Sequence, residues 1–295
     1  MKPPADDARS FDRILERVRQ AQGFDGAQYK PNYMKRRIAV RMRAVGAETY
    51  REYLRILEKD PLESEQLSKR LTIHVTDFFR DPEVYEDLPE RISKISEGLM
   101  DPTTRNSRFR IWSAGCSTGE EPYSLALVFH EWAEKHSGFD FEILATDIDD
   151  PSVATARQGE YPESAFSKMP GRRFNRWFKR DGAKVRAGEA LRQKVRFETR
   201  DLLGSWEGGG EAFHLIFCRN LLIYLGARQQ QKLFERFHGV LAPKGCLVLG
   251  KTEALLGPAR RFFECVDIPN RIYRAVSQGR RDDLHLLEGA DIGGE

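Results

Sequence analysis

The sequence predicts a doubly wound α/β domain preceded by a small all-α domain. Three observations carry that prediction. Arg110 to Ser124 reads RIWSAGCSTGEEPYS: a buried strand, a glycine turn, and the start of an apolar helix. Strand, glycine turn and helix in that order open a doubly wound nucleotide site. From Phe109 onward, strand-like and helix-like segments alternate regularly, as a parallel sheet requires. Residues 1–70 instead carry helical periodicity and little strand signal.

Within residues 1–70, Phe11, Ile14, Leu15 and Val18 fall at helical spacing on one face. After a turn at Tyr29 to Asn32 comes MKRRIAVRMRAVG. Met34, Ile38 and Met42 form its apolar stripe, and Gly46 supplies a helix stop. Lys35, Arg36, Arg37, Arg41 and Arg43 cover its other faces. These read either as a solvated surface or as a dock for an acidic partner. A further helix is expected from Thr49 to Lys59, with Tyr50, Tyr53, Leu54 and Leu57 inward.

The segment LTIHVTDFFRD, Leu71 to Asp81, has no clean period and suits a chain threading past a site. Arg80 beside Phe78 and Phe79 requires an anionic partner. The α/β domain is expected over residues 71–277. Its strands are Arg110 to Ala114, Phe141 to Ala145, Val195 to Glu198, His214 to Cys218 and Cys246 to Gly250. Helices are expected from Pro122 to His136 and from Arg228 to Leu241, and one opens with Asp150 as N-cap and Pro151 at its first position. A small insert, about residues 161–194, holds a short helix near Arg172 to Phe178 and then a small hairpin or an extended stretch. Antiparallel strands are expected between Phe262 and Arg274. A glycine-rich surface loop is read at Glu207 to Glu211, and a polar, disordered tail at residues 278–295.

Bulk properties exclude several classes. The chain has 295 residues, 32% charged and 40% hydrophobic, as in soluble globular proteins. No apolar run approaches the roughly 20 residues of a membrane span, so no membrane insertion is expected. The N-terminus lacks the apolar core of a signal peptide. The four cysteines, Cys116, Cys218, Cys246 and Cys265, form no CxxC pair. That points to a cytoplasmic protein with reduced thiols and no structural zinc. A net charge of +3 is too small to imply a nucleic-acid partner.

The residues after the glycine turn narrow the ligand. A helix N-terminus behind such a turn ordinarily attracts phosphate. Glu120 and Glu121 occupy that place and repel it, whereas a ligand with an ammonium group and no phosphate suits them. S-adenosyl-L-methionine has that chemistry. Asp147, at the carboxyl end of the second strand, stands where an acid binds ribose hydroxyls. Helix-start acids also complement a dipole with no ligand present.

These segments resemble the chemotaxis receptor glutamate O-methyltransferases, the CheR family. The likeness lies in VTDFFRD (Val75 to Asp81), RIWSAGCSTGEEPYSLAL (Arg110 to Leu127), ATDID (Ala145 to Asp149), FCRNLLIYL (Phe217 to Leu225) and GKTE (Gly250 to Glu253). The resemblance implies a Rossmann-like methyltransferase domain behind an all-α domain. It implies methyl esterification of glutamates on chemoreceptor cytoplasmic helices, with S-adenosyl-L-homocysteine as product. By motif position, Thr76 and Arg80 line the cofactor site and substrate approach, with His74 where the family often has Asn. Gly115 belongs to the cofactor turn, and Glu120 or Glu121 holds the methionyl ammonium. Asp147 takes the ribose, and Asp201 and Leu202 frame the adenine, Asp201 standing where Asn is frequent. Arg219 and Asn220 are further cofactor contacts, and Asn220 and Tyr224 border the transfer point. The basic helix would dock the glutamate-rich receptor. The insert is short beside the β-subdomain with which enteric members grip a receptor tail.

Other classes make different demands. Gly115 to Gly119 formally matches the nucleophile elbow of serine hydrolases, which needs a later histidine such as His238 or His285. A receptor-binding adaptor with a decayed cofactor site, or a methyltransferase for another substrate, completes the alternatives.

Overall fold

The computed structural model describes residues 8–22, 24–71, 76–95, 108–204 and 212–276. By its contacts the chain divides into two units, residues 1–74 with 224–230, and residues 75–223 with 231–295. His74, the loop at Glu207 to Glu211 and the tail at 278–295 lie outside the described residues.

The first unit is helical: α1 (Ala8–Gln22), α2 (Pro31–Ala44), α3 (Tyr50–Lys59) and α4 (Pro61–Leu71). Each apolar face expected from the spacing is buried. Gly46, at φ +73°, follows the end of α2, a backbone region glycine enters without steric cost. Thr49 and Glu52 form a reciprocal capping box that starts α3. Arg41 departs from the expected docking face. Its Nε and Nη2 donate to the buried Glu63 at 3.0 and 2.5 Å, and the Tyr53 hydroxyl donates to the same carboxylate at 2.6 Å. Arg41 thus neutralises a buried acid of α4, which a solvated basic stripe does not require. Arg36 and Arg43 are exposed. Lys35 lies 5.5 Å over the Phe11 ring and Arg37 5.4 Å over Tyr33.

The second unit begins with α5 (Leu88–Ile95), β1 (Phe109–Ala114), α6 (Glu120–Ala133), β2 (Phe141–Asp147) and α7 (Asp150–Gln158). The insert follows: β3 (Glu160–Pro162), α8 (Gly171–Trp177), β4 (Phe178–Asp181), β5 (Lys184–Ala187) and α9 (Glu189–Arg192). Then come β6 (Val195–Thr199), β7 (Phe213–Cys218), α10 (Ala227–Val240), β8 (Leu241–Leu249), β9 (Phe263–Asp267) and β10 (Ile272–Ala275).

Among the described residues, seven strands form one sheet in the order β6-β2-β1-β7-β8-β10-β9. The pairs from β6 through β8 are parallel, and β10 pairs antiparallel with both β8 and β9. Ile111, Trp112 and Ala114 of β1 are fully buried, as a central parallel strand requires. The chain leaves β1 toward β2 on one side and returns to β7 on the other. The ends of β1 and β7 therefore flank the switch point where ligands bind in such sheets.

Three local features differ from the sequence expectation. The N-cap of α7 is Asp149, whose carboxylate accepts from the Ser152 N–H at 3.0 Å; Asp150 lies inside the first turn. β8 starts at Leu241 and carries an irregularity around Pro243 to Gly245, where Lys244 takes φ +63°. The insert is more than a hairpin: β3 joins β5 and β4 in a three-stranded antiparallel sheet.

Candidate active site

The glycine turn after β1 is folded against the end of β2. Gly115, at φ +86°, and Cys116 both donate to the Thr146 carbonyl, at 2.8 and 2.9 Å. Ser117, at φ +49°, donates its N–H to Asp147 Oδ2 at 2.8 Å, and Asp149 N–H donates to Oδ1 at 3.0 Å. A carboxylate is the kind of acceptor that ribose hydroxyls require. Gly119, at φ +97°, starts α6; a Cβ there would lie 2.8 Å from both the Ala156 Cβ and the Tyr161 hydroxyl.

Both acids at the start of α6 are enclosed. Glu120 is 6% exposed and accepts from the Thr118 hydroxyl at 2.7 and 3.0 Å. Burial pushes its pKa up to about 7, with the Thr118 bond opposing. Glu121 accepts from the Ser113 hydroxyl at 2.8 Å. Burial raises its pKa as well, while the nearby Arg219 and Arg80 charges favour the ionised form. The two neighbours therefore differ. Glu121 faces arginines, whereas the hydrogen bonds to the Glu120 carboxylate come from a neutral hydroxyl.

Arg219, at the end of β7, is enclosed by protein groups. Its side chain is 1% exposed. Nη2 donates to Asp81 at 2.6 Å, Nη1 donates to the Arg80 carbonyl at 3.0 Å and to the Tyr85 hydroxyl at 3.3 Å, and Glu121 lies 3.7 Å away. Arg219 thus fastens the loop carrying Arg80 beside α6. That loop is bent: Phe79 and Asp81 both take φ +55°. Phe79 N–H donates to the Ser124 hydroxyl of α6 at 3.0 Å. Thr76 is half-buried at the head of the same loop.

Asn220, at φ +60°, donates its N–H to Glu253 at 2.8 Å. The same buried carboxylate accepts from Gly250 N–H at 2.7 Å and Ile223 N–H at 3.3 Å. Gly250 has no room for a side chain, since a Cβ would meet Glu253 Oε2 at 2.7 Å and Asn220 N at 2.9 Å. The burial of Glu253, the last residue of the GKTE segment, among main-chain donors is visible only in three dimensions. Asp201 accepts from Leu203 N–H at 2.8 Å, and the buried Leu202 gives its carbonyl to Arg236 at 2.7 Å. Arg200 N–H donates to the Asp147 carbonyl at 2.7 Å, which brings that stretch to the end of β2. Tyr224 groups with the helical unit, its ring 4.8 Å from Tyr33.

The structure therefore gathers Arg80, Gly115, Glu120, Glu121, Asp147 and Asn220 at the carboxyl ends of β1, β2 and β7. A Cβ on Gly115 would lie 3.4 Å from Leu221, so the first glycine turn and the end of β7 adjoin. The donor set suits S-adenosylmethionine: carboxylates for an ammonium and for ribose hydroxyls, with acids where a pyrophosphate would need donors. His238 serves no triad, since its ring bonds the Val276 carbonyl at 2.9 Å and packs on Phe262 and Phe263.

Residues 74–272 match the CheR methyltransferase SAM-binding domain, and residues 9–72 match the all-alpha domain of the same family. Fold, site and match define an S-adenosylmethionine-dependent methyltransferase. The chain belongs to the CheR methyltransferase family, whose relatives act in chemotaxis. Chemotaxis protein methyltransferase 2 of Pseudomonas aeruginosa is 34% identical over 82% of this chain and 85% of its own length. A probable chemotaxis protein methyltransferase of Rhizobium etli is 31% identical over 85% of this chain and 95% of its own. An uncharacterized 104.1 kDa protein of Rhodobacter capsulatus is 31% identical over 92% of this chain, which spans 28% of that larger protein. Among the described residues, no helix is long and apolar enough to cross a membrane.

Proposed function

We propose that this protein esterifies glutamate side chains on chemoreceptor cytoplasmic helices, working in the cytoplasm without a nucleic-acid partner. The observation that carries the reading is the buried Glu120 carboxylate, hydrogen-bonded by a neutral hydroxyl at the head of α6. An ammonium beside it would favour the ionised acid.

Bound S-adenosylmethionine supplies a methyl carbon on a sulfonium, open to in-line displacement. A glutamate side chain, with an ordinary pKa near 4.3, is ionised at neutral pH and needs no general base. The protein's task is alignment, bringing the reacting atoms to roughly 3 Å. Arg80 orients the incoming carboxylate by charge-assisted hydrogen bonds, and Arg219 and Asp81 hold its loop. Glu120 takes the ammonium, while Glu121 balances Arg219. Asp147 binds the ribose, Asp201 and Leu202 frame the adenine, and Thr76, His74 and Gly115 line the cofactor. Asn220 and Tyr224 border the transferred methyl. Residues 1–70 serve as docking domain and residues 71–277 as catalytic domain, with Arg36 and Arg43 of α2 meeting the acidic receptor.

The test is methyl transfer from labelled S-adenosylmethionine to a chemoreceptor cytoplasmic fragment, scored as methanol released by mild base. Label that appears with the native protein and is lost with Arg80→Ala supports the reading. Cofactor binding without transfer points to another substrate, and absence of cofactor binding favours the adaptor alternative.

A further inference from the structure

Asn220 follows the end of β7 in a backbone region that few residues enter. Its φ is +60°, which glycine adopts freely and asparagine tolerates better than most side chains. Both of its nitrogen atoms have a close neighbour. A Cβ on Gly250 would lie 2.9 Å from Asn220 N and 2.9 Å from Asn220 Nδ2, so the bend packs on the residue that follows β8.

One carboxylate grips that bend. Glu253, 3% exposed, accepts at Oε2 from Asn220 N–H at 2.8 Å and from Gly250 N–H at 2.7 Å. Its Oε1 accepts from Ile223 N–H at 3.3 Å. The grip therefore spans the turn from Asn220 to Ile223 and ties it to the turn after β8. An ionised acceptor makes shorter and stronger bonds than a neutral one. It is also costly, because burial disfavours the charge and raises the Glu253 pKa, against the pull of the main-chain bonds. A neutral acceptor such as serine would end a strand at less desolvation cost. A carboxylate suits a place where several N–H groups must be held at once, since an amide offers one acceptor oxygen.

We infer that Glu253 is a positioning residue for methyl transfer: its carboxylate fixes the bend at Asn220 and, with it, the Asn220 side chain. The inference rests on the reading that Asn220 borders the transferred methyl. Asn220, Ile223, Gly250 and Glu253 all belong to the second unit, so the geometry is internal to it. Glu253 meets no reacting atom in this scheme and acts through Asn220.

The experiment uses the full chain, saturating S-adenosylmethionine and a chemoreceptor cytoplasmic fragment. It compares Glu253→Gln, Asn220→Ala, their double variant and Val248→Ala. Glu253→Gln keeps the side-chain volume but turns one acceptor oxygen into a donor facing N–H groups. Val248→Ala opens a cavity in buried β8 and lowers stability without touching the bend. The expected result is a fall in kcat of about ten- to a hundredfold for Glu253→Gln, with KM for the fragment held within about twofold. Val248→Ala melts earlier yet keeps its kcat when assayed folded. The double variant is no slower than Asn220→Ala alone, because Glu253 acts through Asn220. Where circular dichroism shows that Glu253→Gln does not fold, Gly250→Ala takes its place with the same expected fall in kcat. Its added Cβ would press on Asn220 N and Nδ2 and, at 2.7 Å, on Glu253 Oε2. Full turnover by the folded Glu253→Gln or by Gly250→Ala, where Asn220→Ala is impaired, overturns the inference. So does a double variant whose losses multiply, or an equal loss of kcat in Val248→Ala. Full turnover by Asn220→Ala overturns the inference together with the assigned role of Asn220, which separates the two failures.

Discussion

Glu120 shows a binding need set against a folding need at a single residue. Its pKa rises from an ordinary 4.5 to about 7, chiefly because burial disfavours the charged form. The folded protein therefore holds the proton more tightly than the unfolded chain. Stability is greatest below the unfolded pKa and declines as pH rises through about 7. Binding an ammonium has the opposite demand, since it needs the ionised acid. Cofactor affinity should fall as pH drops below about 7, approaching tenfold per pH unit, as calorimetry across pH would show. Glu120→Gln should lose that pH dependence and bind weakly. Its melting temperature should also decline less than the native one between about pH 5 and about pH 8.

Arg219 illustrates the reverse arrangement, a buried cation held by ion pairs within its own fold. Arg219→Ala leaves Glu121 buried without its nearest cation and frees Asp81 and the Arg80 carbonyl. Chemical denaturation should register a loss of about 3 kcal/mol. Arg80→Ala should impair turnover.

At the scale of elements, α2 carries two kinds of arginine. Arg41 is consumed by Glu63 and Tyr53, whereas Arg36 and Arg43 are exposed. Reversing Arg36 and Arg43 to glutamate should weaken methylation of the receptor fragment and leave melting temperature and cofactor affinity unchanged. Arg41→Glu should instead lower the melting temperature, because two carboxylates would face each other at a buried site. The turn before α6 is equally specific. Gly119→Ala forces a Cβ against Ala156 and Tyr161 at a positive φ, so about 2 kcal/mol of stability should be lost along with cofactor binding; thermal melts with and without cofactor check both.

Across the whole molecule, what the sequence made legible was whatever is written locally. Ile111, Trp112 and Ala114 are apolar because β1 is covered on both faces, and Met34, Ile38 and Met42 repeat every fourth residue because α2 buries one stripe. Asp147 was readable as the last residue of β2 for the same reason. What stayed hidden depends on partners distant in the chain. Arg41 meets Glu63 22 residues later, and Arg219 meets Asp81 across 138 residues. No periodicity reports such pairs: Arg41 reads as part of the basic docking face and Arg219 as a cofactor contact. The third strand of the insert was missed likewise, since Glu160 to Pro162 is strand only through its pairing with β5. The pairing of Tyr224 with Tyr33 is likewise a product of folding.

Under the proposed function a glutamate carboxylate, and no other group, receives the methyl. Peptide mass spectrometry of a chemoreceptor cytoplasmic fragment, incubated with the protein and S-adenosylmethionine, tests this most directly. The expected result is methyl groups confined to glutamate side chains, removed by mild base and absent with Arg80→Ala. Methyl groups on lysine, arginine or an N-terminal amine, or base-stable label, would contradict it.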